Sequence, residues 1–104
     1  MRKATVFVHG KRAGVLTEVS ESNYHFEYDE GYDGAPVSLT MPIGQSTYGF
    51  NSFPPFFEGL LPEGIMLEGL LRICKIDRKD YFSQLLATGE DLVGAVTVEP
   101  ANDE

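Results

Sequence analysis

A chain of 104 residues is long enough for one hydrophobic core and too short for a second folded unit beside it. Sixteen Asp and Glu against eight Lys and Arg give a net charge of −8, which repels nucleic-acid phosphates and anionic membrane surfaces, and no apolar run approaches the ~20 residues of a spanning helix. With 42% apolar and 23% charged residues the composition is that of a globular domain, and Cys74, the only cysteine, excludes an intrachain disulfide or a multi-cysteine metal site.

The segment from Ala4 to His9 is β-branched and aromatic and runs into Gly10-Lys11, after which Ala13 to Val19 is strand-like again, so a hairpin is predicted. Tyr24-His25-Phe26-Glu27-Tyr28 alternates with a period of two, which makes a third strand with Tyr24, Phe26 and Tyr28 on one face. The proline-bracketed piece from Pro36 to Pro42 reads as a fourth strand at a sheet edge, and the Gly-, Ser- and Asn-rich stretch from Gly44 to Pro55 as a loop. From there the period becomes helical: Phe56, Phe57, Leu60 and Leu61 recur first, then Met66, Leu67, Leu70, Leu71 and Cys74 beyond Pro62. A third helix is expected with Asp77 as its cap, Asp80 in the place of a capping-box acid, an apolar stripe of Tyr81, Phe82, Leu85 and Leu86, and Gly89 as its C-terminal glycine. Gly94 to Val98 reads as a strand returning to the sheet, and Glu99 to Glu104 is expected to fray. The pattern predicts an α+β fold over residues 1–100, a mainly antiparallel sheet of four to five short strands with about three helices on one face, followed by a frayed acidic tail at 101–104.

The residues supply no catalytic set. The glycines never fall as GxGxxG or GxxxxGK, so no phosphate-cradling loop is predicted, and no serine sits in a G-x-S-x-G elbow. His9 and His25 are both placed on strands, and a zinc site would need them to meet Cys74, so both are read as structural and no metal is expected. The acid pairs Asp29-Glu30 and Glu90-Asp91 sit beside glycines in turns, where solvated carboxylates are ordinary. Cys74, among Leu and Ile on a helix stripe, is read as buried and inert core. A non-enzymatic protein that binds another protein, with no cofactor, is the expectation. The apolar stretch after Met1-Arg2-Lys3 stops at His9-Gly10, too short for a signal-peptide core, so a cytoplasmic location is expected.

The candidate contact is the corner Leu61-Pro62-Glu63-Gly64-Ile65-Met66. Pro62 and Gly64 set a turn, Ile65 and Met66 place apolar groups where an element start would be exposed, and Glu63 adds a carboxylate able to pair with a basic group. The residues alone leave open whether Ile65 and Met66 are core or contact.

The same residues carry a family resemblance. Phe57-Glu58-Gly59-Leu60-Leu61-Pro62-Glu63-Gly64 is similar to the F-x-x-L-L-P-E-G motif of the N-terminal subdomain of HipA-type toxin kinases. Val8 to Leu16 resembles that subdomain's opening hairpin, Phe26-Glu27-Tyr28 its aromatic strand, Val37-Ser38-Leu39-Thr40-Met41-Pro42 its serine-leucine-x-x-proline segment, and Asp80 to Val96 its closing D-x-F-x-L-L-x-x-x-G-x-D-x-x-G-A-V stretch. The likeness runs from about Ala4 to Pro100, and no kinase motif follows it before Glu104. A free-standing copy of this subdomain resembles the HipS-type antitoxins of tripartite HipB-HipS-HipT systems. That resemblance implies binding to a HipT-like serine/threonine kinase toxin near its active site. It leaves open whether a HipB-like DNA-binding protein joins the complex. The alternative is that the chain is the structural N-terminal subdomain of a longer HipA-like kinase. The starting Met1 and the polar acidic end lead us to expect a complete small protein.

Overall fold

The computed structural model describes residues 1–90, 92 and 94–101. The first strand, β1 (Arg2–Val8), turns into β2 (Lys11–Ser20) through His9 and Gly10, with φ of 52° and 79°. Two left-handed residues in a two-residue loop match the right-handed twist of the flanking strands. His9 is thus a turn residue and not a strand residue as expected, and its N–H is satisfied by the Ala95 carbonyl at 2.9 Å. The hairpin continues into β3 (Asn23–Tyr28), and β4 (Thr47–Phe50) and β5 (Val96–Ala101) complete a five-stranded antiparallel sheet of order β4-β3-β2-β1-β5. Three helices, α1 (Pro55–Glu58), α2 (Gly64–Cys74) and α3 (Tyr81–Thr88), lie between β4 and β5 in the chain. The α+β class read from the sequence is the one observed.

One face of the sheet carries the core. Ala4, Val6, Val8, Leu16, Tyr24, Phe26, Tyr28, Val96 and Val98 are buried on alternating positions, and Phe53, Phe57, Phe82 and Leu85 pack over them from the helical side. Phe26 meets Tyr28 edge-on at 4.9 Å and Phe57 at 6.3 Å, so α1 is held by the aromatic column of β3.

The expected fourth strand is corrected. Pro36 to Pro42 makes only an isolated bridge between Ser38 and Met41, because its prolines remove ladder donors and its remaining backbone groups find another partner. That partner is the Tyr28 hydroxyl, which accepts from the Val37 N–H at 2.9 Å and donates to the Met41 carbonyl. The strand forms instead inside the predicted loop, where Tyr48 lies opposite Phe26 and Phe50 opposite Tyr24. Their period of two carried the signal, but it spans four residues and was hidden by the surrounding Gly and Ser.

Other corrections concern ends. The cap of α3 is Asp80, whose carboxylate accepts from the Ser83 N–H at 3.1 Å; Asp77 instead accepts from the Lys79 N–H in the connector before it. Gly89 ends α3 in a right-handed conformation (φ −57°) and is required for a different reason: a Cβ there would lie 1.9 Å from the Val98 carbonyl oxygen. The close approach lets Val98 N–H bond the Gly89 carbonyl at 3.0 Å, which seats the end of α3 on β5. Glu99, Pro100 and Ala101 do not fray as expected but pair with Thr5, Ala4 and Lys3 at the sheet edge, where proline is tolerated. The remainder of the expected tail, residues 102–104, lies outside the described residues, as does Asp91. Cys74 is exposed, contrary to the expectation of a buried core cysteine, because it falls at the C-terminal end of a helix with no buried residue.

Candidate interaction site

The helix α2 departs from the rest of the fold. It has 11 residues and an apolar stripe, yet none of its residues is buried; Leu67, Leu70 and Leu71 reach only half-burial against the domain. Its start is set by the chain before it. Leu60 and Leu61 close one-turn bonds to Phe57 and Glu58 at 3.1 Å each, Pro62 cannot extend them, and Glu63 is fully extended (φ −132°, ψ 165°). Gly64 then takes φ +60°, a conformation strained for any side-chain-bearing residue, so the reversal depends on glycine. Glu63 makes no side-chain cap, and Leu67 N–H to Glu63 O at 3.4 Å is the first bond of the helix. At the other end Lys75 adopts φ 55° and Ile76 donates to the Leu71 carbonyl at 3.1 Å.

The consequence is a projecting corner. Ile65 is 89% exposed and Met66 74%, which answers the question the sequence left open: neither is core. Leu61 and Pro62 are half-buried beneath them, and Glu63 is exposed beside them. All six predicted contact residues thus come together around one turn. The corner borders an open, mainly apolar groove of about 900 Å³ that continues along α2 past Leu70 to Ile73 (78% exposed) and is closed on its far side by Thr88 and Leu92. Sequence reasoning missed Gly69, Ile73 and Leu92 as part of this surface. Ile73 stands seven residues, two helical turns, beyond Met66, so its spacing was readable; Leu92 reaches the groove only through tertiary folding.

A second cleft brings Arg2, Glu18 and Asp80 beside the rings of Tyr24, Phe53 and Tyr81. Arg2 donates to Glu18 at 2.7 and 3.0 Å, to Asp80 at 2.9 Å and to Ser83 Oγ at 2.6 Å, while its guanidinium carbon sits 5.0 Å from the Phe82 ring centroid. The bonds to Glu18 raise the Arg2 pKa further against burial. Burial alone would raise the Asp80 carboxyl, but hydrogen bonds from Arg2 and Ser83 outweigh it and hold the group below its ordinary value. Every donor and acceptor in this cluster is engaged by a neighbour in the chain, and we read it as the staple that ties α3 to β1 and β2. The acidic turns are also paired internally, Asp29 to Arg12 at 2.8 Å and Asp33 to Lys11 at 2.6 Å. Among the described residues no cluster of His, Cys, Asp and Glu could hold a metal ion, so His9, His25 and Cys74 do not converge. No helix among them is long and apolar enough to cross a membrane.

Comparison with known proteins agrees with this architecture. Residues 4–99 match the model of the HipA N-terminal domain family. A solved structure described as the N-terminal domain of HipA toxin superposes with a TM-score of 0.77 at 32% identity, covering 100% of this chain and 96% of that one. An uncharacterized protein of Haemophilus influenzae is 36% identical over 99 residues, covering 95% of this chain and 92% of its own length. The putative kinase Y4dM of Sinorhizobium fredii is 32% identical over 117 residues, but this chain spans only 29% of that protein's length. What is matched is the N-terminal domain, not the catalytic part of the kinase. The chain belongs to the HipA N-terminal domain family.

Proposed function

We propose that this protein is a HipS-like antitoxin that binds a HipT-like kinase of the HipA family and silences it by seating the corner Leu61–Met66 near the kinase active site. The observation that carries the reading is the exposure of Ile65 and Met66 on a turn fixed by Pro62 and Gly64. Removing such side chains from water contributes roughly 1.5–3 kcal/mol each, enough to anchor an interface. Glu63, exposed at the same turn, offers a carboxylate to a basic group of the partner. Support for a kinase as partner comes from the Sinorhizobium relative, a putative kinase in which the matching region is 29% of the length. On this reading the protein acts in the cytoplasm and takes no cofactor, and a HipB-like DNA-binding protein is a candidate third member of the complex.

The same relative favours a second reading, in which the chain is the structural N-terminal subdomain of a longer kinase. Titrating the purified chain into an autophosphorylation assay of a HipT-like kinase that lacks its own copy of this domain separates the two. The antitoxin reading predicts stoichiometric loss of phosphorylation. Full activity at saturating chain would sink it.

A further inference from the structure

Little that is buried joins α2 to the rest of the domain. Its residues are half-buried at best, and it packs mainly against α3. A left-handed residue stands at each boundary, Gly64 at φ 60° and Lys75 at φ 55°, and such element-terminal positions are where a backbone absorbs a change of direction. The connector after α2 is held differently. Gln84, buried within α3, donates from Nε2 to the Asp77 carbonyl at 3.3 Å and to the Arg78 carbonyl at 2.9 Å, so the backbone at 77–78 moves with α3. From that fixed point Arg78 reaches back to α2, donating to both carboxylate oxygens of Glu68 at 2.8 and 2.7 Å. Both side chains of this pair are more than half exposed.

We propose that α2 is a clasped segment that opens as a unit while the sheet and α3 stay folded, with Arg78 as the clasp on Glu68. Once off α3, an 11-residue helix with Gly69 at its middle is too short to persist in water, so it unravels between Gly64 and Lys75. Unravelling also frees Lys75 from a left-handed conformation that is disfavoured for a residue with a Cβ. What resists opening is the half-burial of Leu67, Leu70 and Leu71 together with the clasp; no residue of α2 belongs to the buried core. A charge pair this exposed is screened by salt, so ionic strength sets how often the segment opens. Opening of this kind is a property of the free chain and requires no partner.

Hydrogen exchange on the free chain, resolved by residue, is the test. At low salt the amides of α2 should exchange at least about tenfold faster than those of β1 and β2, as in a segment that opens without global unfolding. Arg78→Ala removes the clasp without altering the sequence of α2. It should speed exchange in α2 about twofold to fivefold, the effect of losing an exposed ion pair, and leave β1, β2 and α3 unchanged. Raising the salt from about 0.01 to 1 M should close that gap, because it screens the pair in the wild type and finds none in the variant. The proposal is overturned if α2 exchanges as slowly as β1 in the wild type, if removing Arg78 leaves α2 unchanged or speeds the whole domain alike, or if the gap persists at high salt.

Discussion

The sheet with α1 and α3 and the helix α2 are built from similar apolar residues and end in opposite states. In the first region Phe26, Phe57, Phe82 and Leu85 are fully buried and the polar groups at its margin are consumed by one another, as in the Arg2, Glu18, Asp80 and Ser83 cluster. In the second, Ile65, Met66 and Ile73 face water and the flanking charges Glu63 and Arg72 are unengaged among the described residues. The difference is set by a few residues: Phe57 and Phe82 reach the sheet, whereas Pro62 and Gly64 turn α2 so that it rests on the domain by half-buried leucines and an exposed Glu68–Arg78 ion pair. One region holds the fold, and the other keeps its apolar side chains in solvent. Substitutions should therefore sort by region into those that unfold the protein and those that leave it folded.

The largest effect is expected at Phe82. It is fully buried and lies beneath the Arg2 guanidinium, so Phe82→Ala should cost about 3–5 kcal/mol, a large part of the stability of a domain this size. Chemical denaturation checks it, and a loss below about 1 kcal/mol would show that α3 does not close the core. Next comes Tyr28→Phe, which leaves the buried Val37 N–H without its acceptor and should cost about 1–3 kcal/mol, with faster amide exchange at Val37. Unchanged exchange there would mean that the loop after β3 is held by something else.

These two positions also show what the sequence made legible. The alternation of Tyr24, Phe26 and Tyr28 marked β3 and its buried face, and the spacing of Tyr81, Phe82 and Leu85 marked α3, because each pattern outlasts its neighbours' noise. The partner of Tyr28 was not legible: its hydroxyl bonds Val37 and Met41, nine and 13 residues away, and no local pattern announces a side chain that replaces a strand partner. The same holds for Cys74, whose place on an apolar stripe suggested burial while its position at the end of an unburied helix exposes it. At the candidate site, Pro62, Gly64, Ile65 and Met66 were readable as a corner because turn residues and apolar residues stood together; the groove beyond them depends on Leu92, brought there by the fold.

A smaller effect belongs to the staple. Arg2→Ala should cost about 1–2 kcal/mol, since its ion pairs are partly exposed and their Coulomb energy is screened. It should also change the acid limb. The Asp80 carboxyl is depressed in the folded state, so its contribution is present above the unfolded-state pKa of about 3.9 and is lost as pH falls through the lower folded value. Wild type should accordingly lose stability below about pH 4, and Arg2→Ala less steeply. Parallel acid limbs in pH-dependent denaturation would remove Asp80 from the staple.

The smallest effect on stability, within about 0.5 kcal/mol, is expected for Ile65→Asp, because a side chain 89% exposed gives up almost no packing. The proposed contact role of the corner stands or falls on the affinity of this variant for the HipT-like kinase, measured beside its thermal unfolding. Unfolding should stay close to wild type and the complex should weaken about thirtyfold or more, roughly 2 kcal/mol. A folded Ile65→Asp chain that still binds and silences the kinase at wild-type concentrations would contradict it.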